Sequence, residues 1–235
     1  MLKVNKINVA YGKLQVIWDV SFEVRNGEFV TLIGSNGAGK STILKTISGL
    51  MHPTSGTIEF LSQKIEDSAS YTIVEAGLIH VPEGKKIFPF MSVYENLLMG
   101  GYTKEARKKI SDKMEYVFQI FPVLKERKNQ PAGTLSGGER QMLAIGIGLM
   151  ACPKLLMLDE PLQGLSPLYA MKTLDAIKEL NRRDKLTVLL VEQNVNYALE
   201  YAQRGYVIEN GRITLSGTCS DLRGNEHVKK AYLGI

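Results

Sequence analysis

Three short stretches of this sequence hold residue types that could act on a phosphate ester. The first is Gly34-Ser35-Asn36-Gly37-Ala38-Gly39-Lys40-Ser41-Thr42, a G-x-x-x-x-G-K-[ST] run between the apolar segment Phe29–Ile33 and a helical one. Its glycines let successive backbone N–H groups turn inward around a β-phosphate, Lys40 adds a point charge, and the Ser41 hydroxyl can ligate Mg²⁺. The second is the apolar run Leu155–Leu158, which leads straight into Asp159-Glu160-Pro161. A carboxylate ending a buried strand can hold the water shell of that metal, and Glu160, one residue on, is set where a base could polarise water for in-line attack. The third is Leu135-Ser136-Gly137-Gly138-Glu139. Ser136 and Glu139 form a capping box that starts a helix, and a free helix N-terminus with two glycines is also an anion site. The first two stretches specify a nucleoside triphosphatase without saying which, and a second anion site in the same chain needs a reason.

The elements that must position these residues follow from periodicity. Leu2–Ala10, Val16–Arg25 and Glu28–Ile33 read as strands, with turn residues at Tyr11-Gly12 and Asn26-Gly27. Lys40–Ser48 reads as a helix stopped by Gly49. Short strands and loops are expected to about Phe90. From Ser92 to about Gln130 the pattern turns helical, opened by the capping box Ser92-Val-Tyr-Glu95, with Ile110, Met114, Val117, Phe118 and Phe121 on one face. A helix over Ser136–Cys152 follows. Lys154–Leu158 and Leu186–Val191 read as buried strands around an amphipathic helix, and Arg204–Glu209, Asn210-Gly211 and Arg212–Leu215 as a hairpin on a type I′ turn. A short helix closes the chain. Strands alternating with helices predict an α/β core with a parallel sheet, and the helical stretch at about 91–150 reads as an insertion in a single domain spanning 1–235.

Composition narrows the setting. A chain of 235 residues, 44% hydrophobic and 23% charged, is an ordinary globular protein with a full core. Its 29 Lys+Arg against 24 Asp+Glu leave a formal charge of +5, which suits nucleotides or weak attraction to anionic lipid. No aromatic-basic stripe accompanies it, so no nucleic-acid partner is expected. Cys152 and Cys219 show no metal-ligand spacing and read as thiols of a reducing compartment. The N-terminal stretch lacks the apolar core of a signal peptide, and the longest apolar run, Met142–Cys152, is about half of a bilayer span. A cytoplasmic protein is expected, with any membrane crossing supplied by another polypeptide.

Leu135-Ser-Gly-Gly-Glu139, followed by Arg140-Gln141, resembles the LSGG[Q/E] signature of ATP-binding cassette (ABC) proteins, and the resemblance extends over the whole chain. It implies a P-loop, RecA-like core with an N-terminal antiparallel β-subdomain and an inserted helical subdomain. It places Tyr11 where the family stacks an aromatic ring on adenine. It also answers why there are two anion sites: in this family two cassettes pair head to tail, and the signature helix of one faces the γ-phosphate of ATP held by the other.

Two sensor positions depart from the general family pattern. Val81-Pro-Glu-Gly84 puts Glu83 where most cassettes have Gln, and Val191-Glu-Gln-Asn194 puts Gln193 where most have His. None of His52, His80 and His227 fills that role. Gln193 can hydrogen-bond a γ-phosphate but cannot become cationic near neutral pH, while Glu83 could approach Mg²⁺ at the cost of crowding Asp159 and Glu160. These departures, with Gly164-Leu-Ser-Pro167 after the acidic pair and the ending His227-Val-Lys-Lys-Ala-Tyr-Leu-Gly234, resemble one branch, the LivF-type ATPases of branched-chain (hydrophobic) amino-acid importers. Leu162-Gln163 stands where a Ser-Leu pair is commoner in that branch, just before the loop Gly164-Leu-Ser-Pro167 that the resemblance places between the two subunits. The resemblance implies a peripheral ATPase on the inner face of the membrane, paired with a related non-identical ATPase, two transmembrane permease subunits and, indirectly, an extracytoplasmic solute-binding protein. Other expectations remain: a cassette of a different transport system such as lipopolysaccharide export, or a non-hydrolysing regulatory cassette. DNA-repair relatives carry long coiled coils and translation relatives two cassettes in one chain, and neither feature is here. The run Ile87-Phe-Pro-Phe-Met91 has two readings, simple packing or a groove for a short cytoplasmic helix of a membrane partner.

Overall fold

The computed structural model describes residues 1–233, so Gly234 of the closing motif lies outside the described residues. β1 (Leu2–Tyr11) buries Leu2, Val4, Ile7 and Val9 and turns through Gly12-Lys13 into β2 (Leu14–Val24). β2 begins earlier than its apolar pattern, because Leu14 pairs with Tyr11 across that tight turn. β3 (Phe29–Ile33) is buried at every position and feeds the Gly34–Thr42 loop and α1 (Lys40–Ile47). β4 (Ser55–Phe60) and β5 (Gln63–Lys64) follow. The segment expected as strand or loop then contains a helix, α2 (Ser70–Ala76), before β6 (Leu78–Val81). Its β-branched run Thr72-Ile73-Val74 suggests extended chain, but burying Ile73 decides the conformation, and Gly77 ends the helix in the left-handed region.

The helical stretch is broken into α3 (Val93–Gly100), α4 (Lys104–Arg107), α5 (Ile110–Ile120) and α6 (Pro122–Glu126), with Pro122 opening the last. α7 (Gly137–Met150) leads to β7 (Leu155–Asp159), α8 (Pro167–Asp184) and β8 (Thr187–Glu192). α9 (Val195–Tyr201), β9 (Arg204–Glu209), β10 (Arg212–Thr218), α10 (Cys219–Gly224) and α11 (Glu226–Val228) complete the chain, with a π-helical turn at Lys229–Leu233.

Two sheets form. One is antiparallel, in the order β2-β1-β4-β5; the other runs β10-β9-β3-β8-β7-β6, parallel except for β10. The central strands are buried on both faces and apolar apart from Thr31, Thr187 and the acids at their ends. Val30, Leu32, Leu155, Met157, Leu189 and Val191 face α1 and the antiparallel sheet. Phe29, Ile33, Leu156, Leu158, Val188 and Leu190 face the packed helices α7, α8 and α9. The strict two-residue alternation fixes which carboxylates emerge at the strand ends.

The β9–β10 turn locks the two sheets to the phosphate loop. Asn210 and Gly211 have φ of 49° and 74°, as a type I′ turn requires. The Gly211 N–H donates to the Ala38 carbonyl at 3.0 Å, and its carbonyl accepts from the Trp18 N–H at 2.8 Å. A Cβ on Gly211 would overlap the Val16 carbonyl oxygen. Gly211→Ala is therefore expected to lower stability by about 2–4 kcal/mol in chemical denaturation, from overpacking plus a positive φ that alanine resists.

Candidate functional site

The functional side chains collect at the carboxyl ends of β3, β7 and β8, the edge where α/β sheets place ligands. The loop after β3 turns over Ser35, Asn36 and Gly37, which are exposed, and returns through buried Ala38. Gly37 and Gly39 carry φ of 78° and 107°, which turns the loop tightly enough for α1 to start at Lys40. The Lys40 ammonium is buried, donating to the carbonyls of Gly34 at 2.9 Å and Ser35 at 3.0 Å and pairing with Glu160 Oε1 at 3.1 Å. Ser41 donates its hydroxyl to Asp159 Oδ1 at 3.0 Å. Tyr11, half exposed at the end of β1, lies with its hydroxyl 3.3 Å from Thr42 Oγ1.

Gly37, Gly39, Lys40, Ser41, Thr42, Glu83 and Glu160 line one cleft of about 300 Å³. Glu83 is exposed there, and its charge, with that of Glu160, adds to the burial that pushes Asp159 up to about 6; the Ser41 hydrogen bond and Lys40 act in the opposite direction. Glu160 itself has φ of 45°, with its N–H donated to the Val191 carbonyl at 2.9 Å. That strained turn swings its carboxylate off the strand direction toward Lys40. Gln193 is exposed and lies outside this cleft, in a neighbouring one of about 450 Å³ that Glu160 also borders.

The stretch Leu135–Glu139 does not line the Lys40 cleft. Ser136 caps α7, accepting the Glu139 N–H at 3.3 Å while Glu139 Oε2 accepts the Ser136 N–H at 2.8 Å. Arg127 Nε holds the other oxygen of Glu139 at 2.9 Å. Leu135 is buried, Ser136 is exposed and Gly137 half-buried. A Cβ on Gly138 would run into the Tyr169 ring, so the second glycine lets α7 approach α8. A phosphate cradle and a free helix N-terminus thus occupy separate places on one molecule.

Residues 17–163 match the family described as ABC transporter. This chain belongs to the ABC transporter family. Over its full length the cassette is 48% identical to the high-affinity branched-chain amino acid transport ATP-binding protein BraG of Pseudomonas aeruginosa, all of which it covers. It is 37% identical to the probable branched-chain amino acid transport ATP-binding protein LivF of Archaeoglobus fulgidus, across 100% of this chain and 99% of that one. Its backbone superimposes on the ADP conformation of MJ1267, an ATP-binding cassette of an ABC transporter, with a TM-score of 0.85 at 27% identity, covering 100% of this chain and 99% of that one.

Two residues of the cassette to which the motifs assign no role join the site. His80 on β6 lies with Nε2 4.0 Å from Asp159 Oδ2 and Nδ1 3.3 Å from Ser48 Oγ. Burial, and secondarily Lys45, push it down to about 4, so the ring stays neutral beside the acidic pair. Glu192, the last residue of β8, is buried, and burial pushes it up to about 7 although three backbone N–H groups pull the other way. Only its place as an acid ending an apolar strand, like Asp159, could have flagged it.

A second surface feature adjoins the Glu83 loop. An apolar groove of about 440 Å³ is lined by Leu50, Val74, His80, Phe88, Met99 and Tyr102, among others. Buried Asn96 pins the Ile87–Met91 run, accepting the Phe88 N–H at 2.8 Å and donating to the carbonyls of Phe88, Met91 and Ser92. Ile87 packs against the core, but Phe90 is 97% exposed, so packing does not account for Phe90. Among the described residues, no helix is long and apolar enough to cross a membrane.

The raised Asp159 carries a pH signature. The folded state holds a proton that the unfolded chain has lost, so the stability from this group is full below its ordinary value of 3.8 and is lost as pH rises through about 6. In the nucleotide-free chain, Asp159→Asn is expected to gain stability relative to the parent between pH 4 and pH 8, by up to about 3 kcal/mol, measured by urea denaturation across that range. A pH-independent difference would contradict the burial argument.

Proposed function

We propose that this chain is the ATP-binding and ATP-hydrolysing subunit of an importer for branched-chain or other hydrophobic amino acids. The observation that carries the enzymatic part is the convergence of Lys40, Ser41 and Glu160 on one cleft, with Asp159 held at its edge by the Ser41 hydroxyl. The solute class is supported by the full-length similarity to BraG and LivF. The unit is a single cassette, 1–235, with a helical subdomain at about 91–150 inserted in the core.

In this reading the adenine stacks on Tyr11 and the phosphates lie along the N–H groups of Gly34–Thr42. The Lys40 ammonium has three donors, and all three are engaged by Gly34, Ser35 and Glu160. Substrate phosphate must therefore displace one of these partners. Exchanging Glu160 for phosphate gives Lys40 a better-placed anion and frees the Glu160 carboxylate to accept a proton from the attacking water. Ser41 Oγ and Asp159 Oδ1, 3.0 Å apart, fit Mg²⁺, whose adjacent ligands at 2.0–2.1 Å stand about 2.9 Å from each other. Such an ion would supply charge neutralisation to the phosphates. Glu83 lines the same cleft and would add a further acceptor for such an ion, and Gln193 would hydrogen-bond the γ-phosphate.

The cradle is half of a pocket. Leu135, Ser136, Gly137, Gly138 and Glu139 act on ATP held by a second, related cassette, whose own signature closes over Lys40. The groove beside Phe88, Met99 and Tyr102 receives a short cytoplasmic helix from one of two transmembrane permease subunits, which holds the chain at the inner face of the membrane. An extracytoplasmic solute-binding protein completes the system indirectly.

Glu160→Gln is expected to reduce phosphate release at least 100-fold while ATP-dependent association with the partner cassette persists. Equal residual release from parent and variant would overturn the hydrolytic role. With the permease subunits co-purified, leucine, isoleucine or valine should stimulate turnover through their binding protein; stimulation by an unrelated solute alone would overturn the solute assignment.

A further inference from the structure

The acidic residue of Val191-Glu-Gln-Asn194 has no part in the scheme above, yet its side chain is only 3% exposed and both its oxygens are occupied. Glu192 Oε1 accepts the N–H of Leu162 at 3.0 Å. Glu192 Oε2 accepts the N–H of Gln193 at 3.1 Å and of Asn194 at 3.3 Å. One carboxyl group thus bridges two segments 30 residues apart in sequence: the loop that follows Asp159-Glu160 and the loop that follows β8.

Leu162, Gln163, Leu165, Gln193, Asn194 and Tyr197 surround a cleft of about 450 Å³, so the two segments are open to each other on one side instead of packed together. Deeper in, the Glu160 N–H meets the Val191 carbonyl at the strand ends, and Leu162 and Val195 belong to one buried core cluster. The geometry also demands a carboxyl group. Two oxygens each face an N–H donor, whereas an amide offers one oxygen and would point its own N–H₂ at the other arm.

We propose that Glu192 is a positioning residue that holds Gln193 and the Leu162–Pro167 loop as one body, so that a displacement of the loop facing the second cassette is carried to the group touching the γ-phosphate. The effect on turnover rests on the role assigned above to Gln193; the brace itself rests on the three hydrogen bonds alone. Glu192 does not touch substrate and acts only through these backbone groups.

Amide hydrogen exchange of the full chain tests the brace, and ATP kinetics test what it does. Glu192→Ala is expected to speed exchange at Leu162, Gln193 and Asn194 together by at least tenfold, with the amides of Leu156–Leu158 and Leu189–Val191 still protected. Glu192→Gln, the gentler change, is expected to speed exchange in one of the two arms only. Both variants should lower kcat about tenfold with KM for ATP within twofold. On a Gln193→Ala background, the same Glu192→Gln change should cost less than twofold more, because its route to the phosphate is already cut. Unchanged exchange, exchange spreading along β8, or losses that multiply in the double variant would each overturn the proposal. If the exchange result holds but Gln193→Ala alone leaves kcat intact, the brace stands and the role of Gln193 falls.

Discussion

One buried ammonium and three buried carboxyl groups gather at the carboxyl edge of the parallel sheet. Lys40 pairs directly with Glu160, Asp159 is left to the Ser41 hydroxyl, and Glu192 is left to backbone N–H groups. Removing carboxylates from water without enough positive charge is costly, and the raised Asp159 and Glu192 record that cost. The site is thus short of cation before any substrate arrives.

The surrounding fold serves to hold this imbalance in place. Alternation along β3, β7 and β8 commits every residue up to the strand ends to apolar contact on one face or the other, so the charged groups emerge only where the sheet stops. The positive φ at Glu160 then turns its carboxylate sideways to Lys40, and the Asn210-Gly211 turn clamps the loop carrying Lys40 against β2. Such strain persists because strands on both sides over-determine it. His80 completes the enclosure as a neutral ring beside Asp159, adding no charge of its own at neutral pH.

The same edge connects the cleft to two other surfaces. Glu83 reaches the cleft from the loop that continues into the exposed Phe88 and Phe90, beside the apolar groove. On the other side, the loop after Glu160 runs through Gly164 toward α8, against which Gly138 of the signature packs. The residues around Lys40 thus stand on segments that lead outward in both directions.

Much of this was legible in the order of residues. The phosphate loop, the acidic strand end, both capping boxes and the type I′ hairpin depend on short-range rules of hydrogen bonding and backbone angle, so their positions could be read locally. The family was legible because its motifs stand at fixed spacing. What the sequence did not reveal depends on groups distant along the chain. α2 was hidden by a β-branched run whose burial outweighs its propensity, and the long helical pattern gave no sign of its breaks at α4 and α6. Glu192 and His80 looked like unremarkable members of apolar strands until pairing of β6, β7 and β8 set them beside Asp159 and the loop after Glu160. A residue's type fixes what it can donate or accept; only tertiary structure decides how far it is removed from water and which charges share that space, and those two quantities set its chemistry.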